Sequence, residues 1–395
     1  MIKRKKKNKE HNPFYDPTLK KRHLSAKRFK KFTLTSLIFS VAFLAFFLFD
    51  MIGKGIPAFN IAYVKVDVTF NEKTLEDTRF AVPTPYRNLV SRAALRDLPK
   101  LLEENPTYMN STQNIWILAS SQVDQYIKNH NHNLKDKDIA KVDELYAQGL
   151  IDKKFNAIFF ENGDSKIPEY AGIFSAVIGS ILTLIITMAV AFPIGVMTAI
   201  YLEEFAGDNK FTRFIEININ NLAAIPSILF GLLGLAIFIN LFGMPRSSPL
   251  VGGLTLALMT LPIIIVSSRA ALRAVPDSIR QAGYGLGLNK IQVTRDHVLP
   301  LAFPGIMTGS IIGLAQAMGE TAPLIIIGMI AFIPDAPSMV TQAATVMPAQ
   351  LFTWAGMPEG MYIEKTAAGI LVLLTILISL NAIAIFLRKK FEVKW

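Results

Sequence analysis

The sequence predicts an all-α polytopic membrane protein of about six spanning helices, carrying an N-terminal extracytoplasmic insert that is α or α+β. Three observations predict it. Hydrophobic residues make up 51% of the 395-residue chain and are gathered into uninterrupted runs. Several runs reach the roughly 20 apolar residues that a helix needs to cross about 30 Å of hydrocarbon. The basic residues between the runs fall on alternate loops, as the positive-inside rule requires.

The first run, 32–52, follows a basic arm, 1–31, that includes Lys3, Arg4, Lys20, Arg22, Lys30 and Lys31. The run is longer than the apolar region of a signal peptide, and no small-x-small cleavage site follows it. It therefore reads as an uncleaved anchor, 32–53, with the arm in the cytoplasm. Residues 54–169 carry mixed charge and no spanning run, so they form a polar domain outside. Within them 89–102 and 123–147 have amphipathic helical periodicity.

The remaining spans fall at 171–202, 222–241, 250–267, 303–332 and 366–387, in a membrane domain bounded at 170–388. Pro193, Pro226 and Pro262 lie inside them, which is tolerated where neighbours satisfy the freed carbonyls. Lys210, Arg213, Arg269, Arg273, Arg280, Lys290, Arg295, Arg388, Lys389, Lys390 and Lys394 then lie in the cytoplasm, the last three in the tail 389–395. The two short outer loops, 243–249 and 333–365, hold only Arg246 and Lys365. Both termini are therefore cytoplasmic.

The net charge of +11 sits largely in the N-terminal arm. That is a topology signal and an anionic-lipid contact rather than a nucleic-acid surface. The absence of cysteine excludes disulfides, Cys-ligated zinc and thiol nucleophiles. No GxxxxGK[ST] loop and no HExxH motif occurs, so no catalytic and no metal site is assigned, and any ATP must be bound by another chain. His130 and His132 form an HxH in a polar loop, a pattern more often solvated than metal-bound.

The loop 269–302 reads RAALRAVPDSIRQAGYGLGLNKIQVTRDHVLPLA. Pro276 with Asp277 starts a short helix, and the glycines Gly283, Gly285 and Gly287 end it. Asn289 caps a second helix, which Pro300 stops. The product is a compact knob below the membrane. Gln281, Ala282, Gly283, Gly287, Leu299 and Pro300 follow the spacing of the EAA loop of ABC importer permeases, and the chain resembles that family. The family usually has Glu at Gln281, Ala at Gly283 and an aliphatic residue at His297. Further stretches resemble permeases of the PstA type, from phosphate uptake systems: NLAAIPSILFGLLGL from Asn221, GETAPL from Gly319 and MPAQLFTWAGMPE from Met347.

The resemblance implies a five-helix type I ABC importer permease core in the bacterial inner membrane, importing inorganic phosphate. The loop would dock on a separate ATPase. The implied partners are a second, PstC-type permease, a PstB-type ATPase dimer that binds ATP and Mg, and a PstS-type extracytoplasmic phosphate-binding protein. The insert 54–169 resembles the extra domain some PstA-type permeases carry.

Glu320 falls near the middle of the predicted fifth span, where a charge is costly and marks a pathway or a specific pair. Gln316 shares its side, and Thr321 follows it, so these three are the candidate pathway residues. PstA-type sequences usually carry Arg where this chain has Gln316. Gly305, Gly309 and Gly313 form a small-residue stripe that suits close helix packing. Three other readings stand beside the importer: an ion- or proton-coupled transporter using Glu320, a permease of the same family for a different anion, and a receptor sensing through the insert.

Overall fold

A computed structural model describes residues 18–330 and 332–391. The basic residues Lys3 to Lys9 and the tail residue Lys394 lie outside the described residues. The chain divides into two units, Met1–Gly53 and Lys54–Trp395.

In the first unit the dominant element is α1, Leu19–Gly55. It is longer than the predicted 32–52 because the basic residues before the apolar run also favour helix. Its apolar residues are exposed along its length, as a lipid-facing helix requires.

The second unit begins with the insert, which is α+β. Strand β1 (Asn60–Phe70) is central in a three-stranded antiparallel sheet, flanked by β2 (Ser111–Leu118) and β3 (Ile151–Phe155). Val64, Val66, Val68 and Phe70 alternate inward along β1 and form the insert core with Leu89, Val142 and Leu145. Both predicted insert helices are divided. The first becomes Arg92–Arg96 and Leu98–Glu104, because Pro99 restricts Leu98 and lacks an amide hydrogen. The second becomes α2 (Ser121–Ile127) and α3 (Asp136–Ala147), separated where Asn129 takes a left-handed conformation with φ 60°.

Among the described residues five helices are long and apolar enough to cross a membrane, or six if a bent pair is one span. Four lie in the second unit's bundle: α4 (Phe174–Ile200), α7 (Pro249–Arg273), α9 (Leu299–Gly319) and α12 (Gly360–Phe391). The bent pair is α5 (Lys210–Ala223) and α6 (Ser227–Gly234), the latter prolonged by a π-helical segment to Leu241. Helix α7 is central and packs against both α4 and α9. Pro193 and Pro262 lie inside α4 and α7 as predicted.

Four expectations are corrected. Pro226 does not sit inside a helix. The axis turns by 104° between α5 and α6, and Pro226 caps the start of α6. The fifth span ends at Gly319 rather than 332, so Glu320 is the C-cap of α9 and not a mid-helix residue. Pro323 explains the end, because it has no N–H for the Gly319 carbonyl. A short helix, α10 (Ala322–Ile326), follows. Pro300 does not stop a helix either. It sits in the first turn of α9, where a missing N–H costs little, and Lys290–Gly319 runs on as one span. Lastly, α11 (Met347–Ala355) and the early start of α12 convert much of the predicted outer loop to helix. Lys365 therefore lies in α12 and is buried.

Candidate coupling loop and pathway residues

Two neighbouring carboxylates at the end of α4 fasten the loop. The segment Tyr201–Phe205 closes α4 with a π-helical turn, which turns Glu203 and Glu204 toward α7 and the loop. The Arg280 guanidinium donates to Glu204 Oε1 at 2.6 Å and to the Leu272 and Val275 carbonyls at 3.0 and 2.8 Å. Arg273 donates to Glu203 Oε1 at 2.7 Å, and Arg269 donates to Glu216 Oε1 at 2.5 Å. Charge-assisted bonds to partly buried groups are the strong class. Composition registered these arginines only as a topology bias, and the three acids were missed. A pair of glutamates at the cytoplasmic end of a span was the available signal.

The loop itself starts with α8 (Asp277–Gly285), directly after Pro276. Gly287 reverses the chain at φ +80°, and Leu288 donates its N–H to the Gly283 carbonyl at 3.2 Å. Asn289 then caps Lys290–Val293 in a reciprocal pair with Gln292. Gly283 is buried against Val293, where an added Cβ would lie 2.8 Å from a methyl group. Between α8 and the start of α9 runs a mostly apolar groove of about 340 Å³, lined by Ile279, Ala282, Gly283, Leu286, Pro300 and Leu301, with Asp296 and His297 as its polar members. Leu286 and Ile291 are largely exposed beside it. Three of the predicted loop residues thus line one groove. Gln281 is exposed on the outer side, Leu299 packs partly into the core beneath, and Gly287 makes the turn.

On α9 the small residues do pack. An added Cβ at Gly309 would lie 2.0 Å from Ser267 Oγ of α7, and one at Gly305 would lie 2.6 Å from Ala271 Cβ. Gly313 is looser, 3.5 Å from Ile264. Gln316 is exposed, as are Ile312 and Gly319. Glu320 and Thr321 are half-buried, and among the described residues the Glu320 carboxylate makes no hydrogen bond or ion pair.

At the other end of α4, roughly 40 Å away by helix length, lies a cluster that sequence reasoning missed. Lys365 Nζ donates to the Pro168 and Ala171 carbonyls, both at 2.6 Å. Its neighbour Glu364 accepts from Lys128 at 2.7 Å and from Gln125. Lys128 also pairs with Asp124 at 2.7 Å, and Asp124 accepts the Ala62 N–H at 2.8 Å. Asp164 accepts from Trp354 Nε1 at 2.8 Å, while burial pushes its carboxyl up to about 6. Burial also raises Glu169, which accepts the Ser121 N–H. His130 stands 3.6 Å from Glu364, and His132 stacks edge-on to Tyr126.

A family model described as "Binding-protein-dependent transport system inner membrane component" matches residues 191–393. The chain belongs to this family. A second model, for a domain of unknown function, matches 16–84 and 81–136. The PstA phosphate transport permease of Mycobacterium leprae is 36% identical over 160 residues, 40% of this chain and 52% of that protein. The Yersinia pestis PstA is 31% identical over 245 residues, 61% of this chain and 81% of that protein. This chain spans about half the length of the mycobacterial relatives it matches, 52% and 53% for two of them. Among solved structures, an inward-facing MetNI methionine ABC transporter covers 56% of this chain and 98% of its own at TM-score 0.45 and 16% identity. With the multi-pass helices, family membership makes this a multi-pass inner-membrane protein.

Proposed function

We propose that the chain is the permease subunit of an ATP-driven importer, with inorganic phosphate as its substrate and the 269–302 loop as its handle on a separate ATPase. The observation that carries this reading is the groove beside Leu286, pinned through Arg280 to the end of α4. An apolar groove at the end of a spanning bundle suits a partner's side chain. Because the knob is bonded to α4 and α7 rather than hung on a flexible linker, movement of a docked partner would be passed to both helices. The loop then faces the cytoplasm, and the insert faces outside with the binding protein. The phosphate assignment is supported by relatives named as phosphate transport permeases. The exposed face of α9 that carries Gln316 would meet the second permease, which would supply the cation that Glu320 lacks here.

Two measurements test the reading. In the reconstituted complex Gly287→Leu, which forces a side chain onto φ +80°, should lower permease-stimulated ATPase activity about tenfold while membrane insertion survives. Unchanged stimulation would count against the loop. Glu320→Gln should abolish phosphate uptake but leave complex recovery intact. An ion-coupled transporter remains the second reading, because Glu320 is an unpartnered acid at a broken helix. Uptake that persists with the partner's ATP site inactivated would favour it.

A further inference from the structure

Where the insert meets the segment leading into α4, a trough of about 560 Å³ opens at the end of the bundle opposite the loop. Five basic side chains border it, Arg87, Arg92, Arg96, Lys135 and Lys166, against two carboxylates, Asp138 and Glu169. Glu169 is buried and accepts from the Ser121 backbone, and the five cations outnumber the two carboxylates by three. Among the described residues Arg92, Arg96 and Lys135 make no ion pair or side-chain hydrogen bond, and Lys166 only faces the Phe332 ring at 5.7 Å.

Arg92, Arg96, Lys135 and Lys166 are exposed, so water screens their charge, and a bound anion would relieve the repulsion that remains. Arg92 and Arg96 stand four residues apart on one short helix, where like charges repel. Arg87 is held rigid, its Nε donating to the Val82 carbonyl at 2.9 Å and its guanidinium 4.8 Å from the Phe80 ring. Gln122 turns its carbonyl oxygen to the Asn133 N–H at 2.6 Å, which leaves its amide hydrogens as donors at the rim. Four segments distant in sequence thus bring cations and neutral donors to one concavity. Guanidinium forks and amide donors match the oxygens of a tetrahedral anion.

We infer that this trough is a binding site for a small multivalent oxyanion, inorganic phosphate or a dianion of its shape such as sulfate. The site gathers the anion beside the bundle and ahead of spans that carry little positive charge. Binding is a property of the chain alone and stands or falls separately from the importer reading, which is tested by uptake and ATPase coupling.

The experiment is equilibrium dialysis of the purified full-length chain in detergent against radiolabelled inorganic phosphate. Saturable binding is expected, displaced by sulfate and not by acetate at equal concentration. The double variant Arg92→Gln/Arg96→Gln should bind about tenfold more weakly or worse, whereas Arg92→Lys/Arg96→Lys, which keeps the charge, should lose less. Lys73→Gln, an exposed lysine away from the trough, should bind as the parent does. If the arginine variant fails to fold by thermal unfolding, Lys135→Gln/Lys166→Gln carries the same expectation. Absence of saturable binding below ~10 mM phosphate, or unchanged binding in the glutamine variants, would overturn the site.

Discussion

The two ends of the spanning bundle are both tied by charge, but the ties differ in depth and in reach. At the loop end, Arg269 and Arg273 meet Glu203 and Glu216 at partly exposed positions, while Arg280 meets Glu204, which is 6% exposed. At the insert end, Lys365 and Glu364 are 1% and 3% exposed and are surrounded by carbonyls, Lys128 and Gln125. Water can replace a lost partner of Arg273 or Glu216 at the first end, and not one of Lys365 or Glu364 at the second. The loop end is thus built to shift at modest cost, and the insert end to hold the polar domain rigidly on α12.

The sharpest way to break this contrast is Lys365→Met. It leaves three buried backbone carbonyls, those of Pro168, Glu169 and Ala171, without their donor. A loss of about 4 kcal/mol is expected, read as a fall in the thermal or denaturant midpoint of the detergent-solubilised chain. An unchanged midpoint would mean that the insert end is no more rigidly tied than the loop.

Asp164 gives a pH test of the same end. Its folded pKa of about 6 lies above the ordinary 3.8, because burial outweighs the Trp354 bond. The folded chain therefore binds a proton that the unfolded chain releases. This contribution is fully present below about pH 4, is lost as pH rises through about 6, and amounts to at most about 3 kcal/mol. Asp164→Asn keeps an acceptor for Trp354 and should flatten the stability profile across that window. A profile identical to the parent's would remove Asp164 from the account.

The smallest effect is expected at the loop end. Arg280→Gln deprives the buried Glu204 of its cation, yet the glutamine amide can still donate a hydrogen bond to the Glu204 carboxylate. The cost should be about 2 kcal/mol, with a larger relative fall in partner-stimulated ATPase activity. A stability loss as large as that of Lys365→Met would erase the difference between the ends.

Much of this was legible in the sequence. Positions of spans follow from apolar run length, and the loop's helices follow from Pro276, Gly287 and Asn289, each acting on residues within a turn of itself. The Gly309 contact was foreshadowed by four-residue spacing. The end of α9 was misjudged because apolar residues continue past Glu320, and Pro323 was not weighed against them.

Sequence by itself determined the membrane class, the placement of most spans, the polar insert and the capped knob, because run length, caps and proline act over a few residues. Tertiary structure alone decided that Lys365 is a buried clasp, that Glu320 has no partner within the described chain, and that basic side chains from three segments share one trough. Lys365 reaches acceptors 194 to 197 residues away, and no local pattern encodes a bond across such a distance. Helix and sheet packing must first bring the two segments together.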